Sequence, residues 1–169
     1  MPRIDFEALP DHGRLWVFPA GRPLTEAEVR RTVEVVDDFL EGWAAHGVPL
    51  QSARELRDAH FLLVGVDVDA EAPSGCSIDA LVNRLKALGE ELDVSFVDHS
   101  PVWFRDGEEV RTTTRPGFKA LAESDEVSLA TPVFDTSLTE VSQLRDGALE
   151  RPVADSWHGR AFFRAAPRP

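Results

Sequence analysis

Cysteine is almost missing from this chain of 169 residues. Cys76 stands alone, so no internal disulfide can form and a reducing compartment is the simpler expectation. Long apolar runs are missing too. The longest, Phe61 to Val66, is far shorter than the ~20 residues a helix needs to span a bilayer. No apolar stretch of signal-peptide type follows Met1-Pro2-Arg3-Ile4-Asp5, and the expected location is cytoplasmic. Positive charge is scarce: 18 Lys and Arg against 30 Asp and Glu leave a net charge of −12, and no basic run offsets it. Broad binding to nucleic acid or to an anionic membrane is not expected from such a surface.

Several motifs are absent as well. There is no G-x-x-x-x-G-K-[ST] loop, no G-x-G-x-x-G after the first strand and no G-x-S-x-G elbow. Nucleotide hydrolysis by a standard mechanism and serine-hydrolase chemistry both lose support. The five histidines (His12, His46, His60, His99, His158) show no zinc-type spacing, and the acids Asp67, Asp69, Glu71 and Asp79 read as solvated surface. No metal or cofactor is expected.

What is present suits one α+β domain over residues 1–169, with a core at about 14–113 and a C-terminal extension over 114–169. Arg14 to Phe18 reads as a strand. Thr25-Glu26-Ala27-Glu28 is a capping box, followed by Val29, Val33, Val36, Leu40 and Trp43 at helical spacing up to His46 and Gly47. Leu50 to Leu56 and His60 to Val68 form a hairpin around Arg57-Asp58-Ala59. A helix follows, carrying Ile78, Leu81, Val82, Leu85 and Leu88 and ending near Gly89. Val94 to Val97 is a short extended piece, and Asp106-Gly107 marks a second hairpin between Val102 to Arg105 and Glu108 to Thr113. Strand, helix, strand, strand, helix, strand is the order of the ferredoxin-like, split βαβ sandwich. Beyond it come a helix around Phe118 to Glu123, a strand at Pro132 to Phe134, a helical Thr139 to Leu149, and a tail whose Trp157, Phe162 and Phe163 dock on the body.

The candidate site is Ser74-Gly75-Cys76-Ser77-Ile78-Asp79, a small-residue loop at a helix start with Ser77 as cap. Free N–H groups there suit an anion, Gly75 admits close approach or positive φ, and the helix field favours a Cys76 thiolate. In a ferredoxin-like fold the end of the first helix meets the start of the second, which brings His46 to Cys76, with Asp79 able to orient the imidazole. Trp43 and Trp157 are the aromatic side chains placed to wall a ligand. For each of these residues the bland alternative is core packing or capping.

Leu9-Pro10, Arg14-Leu15-Trp16, Trp43-x-x-His46-Gly47, Ser74-Gly75-Cys76-Ser77-Ile78-Asp79 and Ser156-Trp157 together resemble a family of uncharacterised bacterial proteins of similar length, often loosely labelled ABC transporter ATPases. That label requires a phosphate loop this chain does not have. Val66-Asp67-Val68-Asp69 also stands where that family carries an Asp-Glu pair. The resemblance implies no mechanism and directs attention to Trp43, His46 and the Cys76 loop.

Three functions are expected from these residues. The first is a small-molecule or regulatory domain holding an anion at Ser74 to Asp79. The second is a thiol-dependent hydrolase or transferase with Cys76 as nucleophile and His46 as its partner. The third is an interaction module that meets a protein partner or a second copy through its tail or an open sheet edge.

Overall fold

A computed structural model describes residues 3–163, in which two antiparallel sheets pack face to face between two sets of helices. The first sheet has the order β1-β5-β4, with β1 at Arg14–Pro19, β4 at Ser52–Arg57 and β5 at Phe61–Val66. Every residue of β5 is buried, because both of its faces are covered. Leu62, Val64 and Val66 meet α1 (Glu26–Glu41) and α2 (Gly75–Leu92), packing with Val36, Leu40, Leu81, Leu85 and Leu88. Phe61 and Leu63 point the other way, into a cluster with Trp103 and Phe134 of the second sheet. There Phe61 stacks on Phe134 at 4.5 Å and meets Trp103 edge-on.

The second sheet has the order β7-β6-β8-β9, from β6 (Val102–Asp106), β7 (Glu109–Thr113), β8 (Pro132–Phe134) and β9 (Glu150–Pro152). Its far face buries Val102, Phe104 and Val133 against Phe118 of α3 (Arg115–Glu123) and Phe162 of α5 (Trp157–Phe162). Between β8 and β9 lies the single short turn of α4, Val141–Arg145. The buried apolar clusters thus run well past residue 113, as far as Val153. None of the described helices is long and apolar enough to cross a membrane.

The chain is mixed α and β, and every pairing in the first sheet is antiparallel. A ferredoxin-like sheet would carry a fourth strand beside β1. That edge is instead closed by residues 139–141: the Leu15 N–H donates to the Thr139 carbonyl and the Val141 N–H to that of Gly13. The strand expected there, β6, belongs to the second sheet.

Local boundaries differ from the sequence expectation in ways the chain explains. The first helix keeps its Thr25–Glu28 capping box but ends at Glu41, with Gly42 as C-cap. Trp43 turns inward, and Ala44–Ala45 (β2) pairs with Val48–Pro49 (β3) around a tight turn in which His46 and Gly47 both have positive φ. His46 is therefore a turn residue and not a helix terminus. The second helix starts at Gly75: its N-cap is Ser74, and Ser77 is the third helical residue of a reciprocal box, its hydroxyl accepting from the Ser74 N–H. Gly75, as the first helical residue, has no positive φ, and nothing lies within 4 Å of a side chain added there. This helix also runs through Gly89 to Leu92 before Asp93 takes the left-handed conformation. Val94 to Val97 is not a strand, and the hairpin turn after β6 is Gly107-Glu108, because Asp106 pairs with Glu109. The helix expected over 139–149 shrinks to α4, since β9 must begin at Glu150.

Candidate functional site

The start of α2 is exposed. Cys76 lies at its second position with its side chain open to solvent, and Asp79 is exposed one turn on. The Ser77 N–H is taken by the Ser74 hydroxyl and the Ile78 N–H by the Ser74 carbonyl. Only the Gly75 and Cys76 N–H groups are left for an outside acceptor among the described residues. The β2–β3 hairpin does reach this end of α2: the buried Trp43 indole donates to the Ser77 carbonyl at 2.8 Å. Trp43 is thus core, packed edge-on to Trp16. His46, at the exposed tip of the hairpin, makes no hydrogen bond or ion pair to Cys76 or Asp79 among the described residues. Asp69 turns elsewhere, pairing with His12 at 2.6 Å.

At the other end of the layer stack, the C-terminal segment assembles a denser group. Ser156, the half-buried N-cap, and Trp157, the first residue of α5, lie beside a fully buried His158. Its Nδ1 is 2.7 Å from the Ser156 hydroxyl, and its ring stacks on Trp157 at 3.8 Å between centroids. Phe118 and Phe162 pack around it, and the Arg115 guanidinium lies over the outer indole face. Burial drives the His158 imidazole down to about 4, with Asp135 pulling it upward and Arg115 pushing it further down. The ring is therefore neutral near pH 7.

A cleft of about 670 Å³ opens beside this group. Leu129, Trp157 and Phe163 supply its apolar walls, and Asp155, Ser156 and Arg160 its polar ones. Leu129 is exposed, which is unusual for a large apolar side chain on this molecule. A second cleft, of about 420 Å³, lies between the end of α2 and residues 93–97. Neither reaches residues 74–79.

Of the residues singled out in the sequence, Trp43 and Ser77 are brought together, Cys76 and Asp79 share an open helix start, and Trp157 lines a cleft far along the chain from all of them. Ser156, His158 and Arg160 were missed as functional candidates. Their signal was faint: a Ser-x-His spacing just ahead of a short helix, with an Arg one turn on. Arg115 and Asp135 come to His158 only through tertiary structure. No family model matches this chain, and no curated protein or solved structure matches it either.

Proposed function

We propose that this chain is a small-molecule-binding protein whose ligand occupies the cleft beside Trp157. The observation that carries the reading is the cleft's composition and size. About 670 Å³ lies within the range of small-ligand sites, and aromatic walls stand next to a few polar groups. Arg160 gives the site a cation and Asp155 a carboxylate, and the ligand proposed here pairs an apolar ring with an anionic group that meets Arg160. In this reading the chain works as one domain: the sheets and helices over 14–113 supply the platform, and the extension after 113 supplies the site.

The test is a titration with 1-naphthoate, read by tryptophan fluorescence. Wild type is expected to saturate, Arg160→Ala to bind about tenfold more weakly, which is ~1.4 kcal/mol, and Trp157→Ala to lose most of the quenching. Wild-type binding left unchanged in both variants, or no binding at all, overturns the proposal.

A second reading, thiol chemistry or anion binding at Cys76, is favoured by the exposure of that side chain at the start of α2. It lacks a cleft and an imidazole in contact, and for that reason stands second.

A further inference from the structure

A serine at a helix N-cap normally turns its hydroxyl to the backbone N–H two or three residues on. Ser156 holds the N-cap position of α5 and makes no such bond. Its hydroxyl is instead committed to the imidazole of His158, at 2.7 Å, while the residue also lines the cleft. The imidazole is fixed from every side: Trp157 and Phe162 lie roughly parallel to its ring, Phe118 meets it edge-on, and the ring is 1% exposed. The charges acting on it are Asp135, which favours taking up a proton, and Arg115, which opposes it. A serine that lines a ligand-sized cleft, with its hydroxyl 2.7 Å from the Nδ1 of a rigidly held imidazole, has the spacing of a nucleophile beside a base when Nδ1 is the unprotonated nitrogen.

We infer that Ser156 and His158 form a nucleophile–base pair that cleaves esters of apolar carboxylic acids bound in the Trp157 cleft. This rests on the cleft being a ligand site and adds turnover to it. The Ser156 oxygen adds to the ester carbonyl carbon while its proton passes to Nδ1 of His158. The carbon–alkoxy bond then breaks, and the departing alcohol takes that proton. Water repeats the sequence on the acyl-serine and releases the carboxylic acid, returning the proton to Ser156. Arg160 is the cation that lines the cleft for the oxyanion and for the carboxylate product. The G-x-S-x-G elbow is not needed, because the serine is presented here by a turn entering a short helix.

An alkyl fluorophosphonate probe tests the pair directly, since the Ser156 oxygen forms a bond to phosphorus, fluoride leaves, and His158 accepts the proton. Intact-mass and peptide analysis should find one adduct, on Ser156, absent from Ser156→Ala. In His158→Asn, labelling should slow by at least about 100-fold. Should that variant not fold, the wild-type pH profile decides, with labelling expected to slow as His158 becomes protonated. No adduct, an adduct elsewhere, or labelling indifferent both to pH and to His158 overturns the inference. If naphthoate still binds in those cases, the cleft remains a ligand site without chemistry. If it does not, the cleft reading falls too.

Discussion

Cys76 shows how far a single residue's chemistry can be read from its neighbours. Its small-residue surroundings pointed to a loop opening on a helix, and α2 does begin there, with the side chain exposed at the second helical position. Alkylation by iodoacetamide should therefore go to completion in buffer without denaturant, at a rate close to that of the unfolded chain. A rate rescued only by unfolding would contradict the exposure. What could not be read was its company. His46 depended on a helix running to Gly47, and Gly42 ended that helix five residues sooner. The Ser156–His158 contact was equally hidden, because it needs the ring walled in by Phe118 from a helix some 40 residues earlier in the chain.

Elements were most legible where side-chain chemistry specifies an end. The Thr25–Glu28 box marks the start of α1 without reference to the rest of the fold. For α2 the sequence pointed to Ser77 as the cap; the cap is Ser74, and the reciprocal bonds between Ser74 and Ser77 use both serines. Ser74→Ala should cost about 1 kcal/mol in urea unfolding, as for other N-caps. Trp43→Phe should cost about 1 kcal/mol, since it removes the buried indole donation to the Ser77 carbonyl. If Trp43→Phe were neutral, the β2–β3 hairpin would have no energetic tie to the start of α2. Short strands such as β2 and β9 were illegible, because two or three residues carry no usable periodicity.

Across the whole molecule, the sequence pattern indicated a sheet with one helical face, and the second sheet covering its other face was not visible. The clue was β5, apolar at every position and so suited to burial on both sides. The layered packing also buries imidazoles. His158 is driven from 6.5 down to about 4, and burial lowers His60 in the same direction. Between those values the unfolded chain binds more protons than the folded one, so stability rises with pH across about 4 to 6.5 and is lost as pH falls through that window. Urea midpoints at pH 7 and pH 4.5 should differ accordingly, with His158 contributing on the order of 2–3 kcal/mol. Glu28, held down to about 2 by Arg22, adds a separate loss below its ordinary value of 4.5. A flat profile from pH 7 to 4 would mean that His158 is not enclosed as described.

The double cover over β5 also removes the usual safeguard against misalignment. In a sheet with one wet face, sliding a strand by one residue throws polar groups inward and is rejected at once. Here both neighbours are oily, and polarity cannot tell the correct alignment from its shifted copy. Shape has to do so: Leu9 fills the space above Gly65 so closely that any side chain there would collide with it. A shifted strand would bring Val64 or Val66 to that spot, and the missing side chain at one position thus acts as the key that fits the strand to its slot.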